Sequence, residues 1–564
     1  MAFSLIFLLV TFFITVTHHI ARNLFFHTLS SIPGPKAAAI TTWWETWIDL
    51  FSEGGGRYFF EIERLHARHG PIVRIGPNEV HISDAAWVHN VLHGRPGSVR
   101  DKHESLAHII GNNLGTFGTV GHHLHRQRRA AISPLFSKRA VNATQPKVRQ
   151  AIDDLCNLLN RKCDANQAVE LRTTLLAWST DVLTTYMFEQ PTGLLKDERK
   201  AAEWQATFEK MRQLFPILRR CLWAVPMALA LPLWLVDLLL PSITPLLRVY
   251  HDMHSHATKA CQADAMFSTT STESMSDLFH TVLASRLRDD EKKEARLAHE
   301  GVEALLAGSI TSPRILVRAI YHILADPLLV KRVKEEVRRI MPDSETVPEL
   351  QVLVRSAYMR AVVKESLRMA QIVTARIPVV APLNDLKYGN YDLPPGTIIS
   401  YSLAYSLMDS EVFSNPKVFQ PERWLASGPA HLVKMEQSFT VFGVGSRKCL
   451  GMDFALANLL TAVVVVFGRF PDMTLVDVVC ERDLDHHRSW FIGEPRAESP
   501  GVQISLAPPK ASRLNEDMDT RYHASKNTIV KRMVTWRSPL WPSETTVYGL
   551  DAMLRVLRLV LIMR

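Results

Sequence analysis

Cys449 closes a loop, Phe442-Gly443-Val444-Gly445-Ser446-Arg447-Lys448-Cys449-Leu450-Gly451, whose residue types suit a reactive sulfur. Two glycines flank Val444 and permit a tight turn with positive-φ positions. An apolar stretch of helical character, Phe454-Ala455-Leu456-Ala457-Asn458-Leu459-Leu460, follows at once. A thiolate at the start of a helix is favoured by the dipole and by the free backbone N–H groups there. Arg447 and Lys448 add positive charge, and such a sulfur is a soft ligand for iron. A cysteine after a glycine turn is, taken alone, more often a buried structural thiol. What separates the two readings is the spacing F-x-x-G-x-R-x-C-x-G, which fixes five residues at once.

Three other groups carry chemistry. Glu365 and Arg368 stand at i, i+3 on one helical face, with Phe419-Gln420-Pro421-Glu422-Arg423-Trp424 downstream. By itself the first pair reads as a routine surface ion pair. His125 and Arg129 stand one helical turn apart in a basic segment, where both are able to donate to carboxylates. Ala307-Gly308-Ser309-Ile310-Thr311-Ser312-Pro313 combines small residues with a hydroxyl that is able to pass on a proton. None of the six cysteines has C-x-x-C spacing, which argues against a zinc ribbon or a thioredoxin-type site. His122, His123, His486 and His487 are read as ordinary surface or core histidines.

The cysteine loop resembles the haem-binding loop of the cytochromes P450, with every fixed position matched, and the other segments stand in that family's order. In spacing and wording the chain is most similar to fungal secondary-metabolite members such as trichodiene oxygenase. The resemblance implies a mainly α fold with small β-sheets and haem b as cofactor. It implies Cys449 as the axial iron ligand, Phe442 packed near the sulfur, and Arg447, His125, Arg129 and Arg376 as donors to the haem propionates. Glu365, Arg368 and Arg423 become a buried structural network and Thr311 the catalytic hydroxyl. Phe117, Ala307, Thr374 and Ile377 become the substrate pocket. The implied reaction takes two electrons from NADPH through NADPH–cytochrome P450 reductase and inserts one oxygen of O₂ into a lipophilic small molecule, a terpenoid or polyketide. The chain departs from the family at Ile310, where the family has an acid, and at Pro313, which removes an N–H and widens the local kink. Ile310 keeps two alternatives open: an oxygen-independent haem isomerase or dehydratase, and a non-catalytic haem-binding protein.

These residues need a large helical scaffold, and 564 residues at 47% hydrophobic and 21% charged supply one. A formal net charge of +9 suits an anionic membrane or an acidic partner. No basic run interleaved with aromatics marks a nucleic-acid groove. Ala2 to Val16 is almost wholly apolar, and the stretch to Phe26 is long enough to span a bilayer. Arg22 and Lys36 follow it and nothing basic precedes it, so the positive-inside rule puts the rest of the chain in the cytosol. The expected order is a transmembrane signal anchor at 1–27, a Pro-Gly-Pro hinge at 28–42, a haem domain at 43–508 and an extension at 509–564. The expected location is the endoplasmic reticulum membrane, single-pass. Cys221 to Leu247 is apolar, but Pro226, Pro232, Pro241 and Pro245 predict short surface-dipping helices, not a second span. Val73 to Ile82 reads as a hairpin around Gly76-Pro77-Asn78.

Overall fold

The structure is a computed structural model that describes residues 2–93, 98–110, 114–221, 223–239, 241, 243–267 and 277–506. The expected extension at 509–564 lies outside the described residues.

The chain opens with a helix, α1 (Ala2–Ala21), continued by a π-helical turn, Arg22–Phe26. The apolar stretch Phe3–Phe26 is long and apolar enough to cross a membrane, and none of its most apolar window is buried. The expected hinge that follows is docked, not loose. Leu29, Ile32, Ala38 and Ala39 are buried, and Pro33 O accepts the N–H of Arg74 at 2.7 Å. Gly34 lies so close that a Cβ there would collide with the Arg74 carbonyl. Proline stiffness stops the helix, and apolar burial then pins the segment to the first strand.

The elements that build the site follow in order. Two helices, α2 (Trp43–Phe51) and α3 (Tyr58–His69), precede the expected hairpin, β1 (Ile72–Gly76) and β2 (Glu79–Ile82). A two-residue strand, β3 (Asp101–Lys102), leads to α4 (His122–Ile132). The helical body contains α5 (Leu171–Phe188), α6 (Glu198–Leu218), the short α7 (Ala224–Ala230) and α8 (Leu233–Leu239), and α9 (Thr244–Phe267). Then come the 31-residue α10 (Glu294–Leu324) and α11 (Ala357–Ala370). Strands β4 (Arg376–Val380) and β5 (Ile398–Ser402) precede α12 (Met452–Arg469).

Helix α10 is the axis of the molecule, packed by α5, α9, α11 and α12. Apolar residues on nearly every face explain why: a helix apolar all round is stable only when surrounded. It runs on through Pro313, so surrounding contacts outweigh the roughly 3 kcal/mol that an internal proline costs. The five-stranded sheet has the order β1-β2-β5-β4-β3, with β2 and β5 parallel at Glu79↔Ile398 and the other pairs antiparallel. The described residues of Cys221 to Leu247 form the short helices α7 and α8 and the start of α9 and no second span, with Trp223, Met227, Trp234, Leu238 and Leu239 exposed. The other helix apolar enough for a bilayer is α12, and 67% of its apolar window is buried, so it serves as a core helix.

Candidate active site

The cysteine loop is built from its glycines outward. Gly443 and Gly445 take φ of +76° and +72°, and a Cβ on Gly445 would lie 2.5 Å from the His93 ring. The loop closes where the Cys449 N–H donates to Phe442 O at 2.7 Å, and α12 starts at Met452. Phe442 is half-buried against the helical core. Of the six cysteines, Cys449 alone is exposed. Burial nevertheless pushes its thiol up, against the Gly451 N–H, Arg129 and Lys448. The sequence leads to a thiolate favoured by the helix start and by the neighbouring Arg447 and Lys448, and burial opposes that charge.

Cations gather beside that sulfur. Arg447 donates from Nη1 to Thr119 O (2.8 Å) and from Nη2 to Val120 O (2.6 Å), while its buried Nε has no partner among the described residues. Burial lowers its pKa to about 10, with Asp101 opposing. His125, on α4, is buried and lowered to about 3 by burial and then by Arg447, Lys102 and Arg129, so it is neutral. Arg129, one turn on, stands close enough to Cys449 to feel its charge. Arg128 points elsewhere, in a buried pair with Glu291 at 2.6 Å. Lys102 was not singled out by the sequence. Its Nζ lies 3.4 Å from the centre of the Phe117 ring, and burial and Arg447 lower its pKa.

This donor set fits a haem. Buried guanidinium groups with a spare N–H call for carboxylates, as the two propionates would supply, and the reachable thiol suits iron. Arg376 is the exception. Its Nε and Nη2 donate to both oxygens of Glu79 (2.6 and 3.1 Å), and its two Nη bond the two oxygens of Glu45. Glu45 also takes Arg219 at 2.7 Å and Arg220. Burial resists the charge on Glu45, but the three arginines outweigh it and hold the carboxyl well below the usual range. Arg376, expected as a propionate donor, here holds the knot that ties β4 to α2, β2 and the end of α6.

Glu365, Arg368 and Arg423 come together as expected from the resemblance. Glu365 Oε1 accepts from Arg368 Nη2 (2.7 Å), Arg423 Nε (3.0 Å) and the Gln420 N–H (3.0 Å). Its Oε2 accepts from Arg368 Nε (3.0 Å) and Trp424 Nε1 (2.9 Å).

On α10 the Thr311 hydroxyl donates to Ala307 O at 3.0 Å, and Ala307 is exposed. Gly308 fits against Leu183, where a Cβ would stand 2.7 Å from Cδ2. Ile310 is 6% exposed and packs inside the main apolar cluster. The position that departs from the family therefore faces the apolar core, while Ala307 is exposed.

Two of the pocket candidates meet through a residue the sequence did not flag. Phe491 has φ of +105°, rare for a bulky residue. Its ring meets Phe117 at 6.5 Å and Phe215 at 6.2 Å, both edge-on, and its carbonyl accepts the N–H of Thr374 at 3.1 Å. Thr374 itself is buried, its hydroxyl 2.6 Å from that of Ser489, and lines a small cavity with Phe215, Phe491 and Asp49. Ile377 is half-buried between the helical core and the sheet cluster.

The chain matches the family model for cytochrome P450 over residues 39–486. It is 31% identical to a cytochrome P450 monooxygenase of Ascocoryne sarcoides, over 86% of this chain and 94% of that one. It is 30% identical to a tryptophan 6-hydroxylase of Fusarium equiseti, over 86% and 93%. It is 29% identical to conidiogenone synthase of Penicillium rubens, over 88% and 98%. With the cysteine loop, the Glu365 network and the long axial helix in place, the chain belongs to the cytochrome P450 family of monooxygenases.

Proposed function

We propose that this chain is a membrane-anchored haem monooxygenase that inserts one oxygen atom of O₂ into a lipophilic small molecule of fungal secondary metabolism. The observation that carries the proposal is the cysteine loop itself, with an exposed Cys449 thiol, Arg129 near the sulfur and an Arg447 Nε that has no hydrogen-bond partner among the described residues. Haem, when bound, supplies O₂ activation with two electrons from NADPH through NADPH–cytochrome P450 reductase. The chain's residues have the other tasks. Cys449 would hold the iron, and Arg447, Arg129 and His125 the propionates. Thr311, whose hydroxyl donates to Ala307 O, would turn to donate a hydrogen bond into the site and so relay protons arriving from solvent. Glu365, Arg368 and Arg423 keep the core under the cofactor rigid.

The aromatic trio Phe117, Phe215 and Phe491 favours a ring-bearing substrate. A terpenoid or polyketide with rings fits that wall, and so does an aromatic amine derivative, given that one relative is a tryptophan 6-hydroxylase. The exposed apolar helix followed by Arg22 and Lys36 supports a single span in the endoplasmic reticulum, with the body in the cytosol.

The test is spectroscopic and kinetic. Reduced protein with CO should show the thiolate band that defines the family, Cys449→Ala should abolish it, and reductase should drive NADPH consumption. A band that survives Cys449→Ala would sink the ligand assignment. A normal band with no NADPH consumption at any substrate concentration would move the chain to the isomerase, dehydratase or non-catalytic alternatives.

A further inference from the structure

The loop from Leu114 to Gly121 carries Phe117 and is held from two sides. From α10, Glu303 accepts the Phe117 N–H on one oxygen at 2.6 Å and the Gly118 N–H on the other at 2.8 Å. One turn earlier, Glu300 accepts the N–H of Thr116 at 3.1 Å and its hydroxyl at 2.8 Å. From the other side Arg447 donates to Thr119 O and Val120 O, and Lys102 to Phe117 O. Gly115 permits the approach, since a Cβ there would collide with the Glu303 carboxylate. Among the described residues Glu303 makes no ion pair within 4.0 Å. A buried carboxylate is costly; this one faces Lys102 and binds two successive amides with its two oxygens. Two successive amides on one carboxylate fix the peptide between them, and with it the direction of the Phe117 side chain.

We propose that Glu303 is a positioning residue for the oxidation: by clamping the amides of Phe117 and Gly118 it holds the Phe117 ring as one wall of the substrate site. The inference rests on the reading of Phe117 as a pocket residue of a haem enzyme. Both oxygens accept, so the clamp is complete when the carboxyl is ionised, and a proton on either oxygen removes one acceptor. Burial, with Glu300 behind it, pushes the Glu303 pKa up against the two amides and Lys102. The charged groups that face it are Glu300, itself paired with Arg296 at 2.7 Å, and Lys102 on β3, which faces Arg447 and His125 in turn. The clamp therefore weakens as pH falls.

The test uses the full-length haem-loaded chain and two iron ligands, imidazole and 4-phenylimidazole, titrated by their shift of the haem absorption band. On the reading of Phe117 as a pocket wall, the phenyl arm would extend to it and imidazole alone would not. Glu303→Gln keeps one acceptor and loses the other, so it should weaken 4-phenylimidazole about 3–10-fold relative to imidazole. In wild type the preference for the phenyl ligand should fall with falling pH, and in Glu303→Gln it should be flat. Amide exchange at Phe117 and Gly118 should quicken in Glu303→Gln and in Gly115→Ala, which drives the carboxylate away without removing it. An unchanged ligand ratio at every pH, or unchanged exchange in both variants, overturns the clamp. If wild type binds neither ligand, the haem reading fails instead, and amide exchange still decides the clamp.

Discussion

At Ile310 the residue scale gives a different answer from the one its place in the motif invites. The motif suggests that an acid restored there would speed proton delivery. The packing says otherwise, because the side chain is 6% exposed among Leu306, Ile315 and the rest of the helical core. Ile310→Asp should lose apolar contact and bury an unpaired carboxyl, a cost of at least about 3 kcal/mol. Thermal unfolding of the haem-loaded protein should show it as a lower midpoint, with no fall in the peroxide released per NADPH. Thr311→Ala should do the reverse, with haem content and midpoint kept and more of the consumed NADPH recovered as peroxide. A stable Ile310→Asp with better coupling would put that side chain in the groove after all. Cys449, Glu365 and Arg368 were legible because their spacing is short and their chemistry self-contained. The carboxylate partners of Arg376 were not legible because they lie 297 and 331 positions away, and no local pattern announces them. Lys102 and Glu303 were missed for the same reason: each gains its meaning from a loop that only the fold delivers.

At the scale of elements, the knot around Arg376 joins α2, α6 and the sheet, and Asp49 sits on its edge. Among the described residues the Asp49 carboxyl accepts only the Tyr58 N–H, at 2.9 Å, and burial, then Glu45, raise its pKa to about 7. A carboxyl normally near 4 that titrates near 7 when folded binds more protons folded than unfolded between those values. Stability thus falls as pH rises from about 4 to about 7 and is flat above. Asp49→Asn keeps an oxygen for Tyr58 and removes the charge, so it should stabilise the protein at pH 8 by about 1–4 kcal/mol. The gain should shrink toward pH 4; an equal gain at both ends would detach it from titration. Much at this scale was readable beforehand. The Gly76-Pro77-Asn78 hairpin and the prolines between Cys221 and Leu247 are local signals, and β1, β2, α7 and α8 obey them. The parallel pairing of β2 with β5 was not readable, since strands more than 300 residues apart share no turn chemistry. Nor was the docking of Leu29 to Ala39, which depends on a sheet face not yet built at that point in the chain.

For the whole molecule, the proposed attachment to a membrane has two sources. The first is the exposed helix Phe3–Phe26, and the second the apolar side chains of Trp223, Met227, Trp234, Leu238 and Leu239. Deleting residues 1–32 should leave a folded haem protein that still sediments partly with membranes, and polar substitutions at Trp223 and Trp234 should then release it. Full release on truncation alone would limit membrane contact to the N-terminal helix. A third apolar helix, α12, is hidden rather than displayed, and that has a consequence during synthesis. Left uncovered, Met452–Arg469 meets the length and composition that an insertion channel accepts. Its covers, α10 and α11, leave the ribosome first, so folding competes with insertion and normally wins. Glu365→Gln weakens α11 by stripping charge from a buried pair, a loss of about 3–5 kcal/mol. That variant should let part of the population thread α12 through the bilayer. A glycosylation acceptor appended after Arg564 would then be modified in the variant and left bare in the wild type.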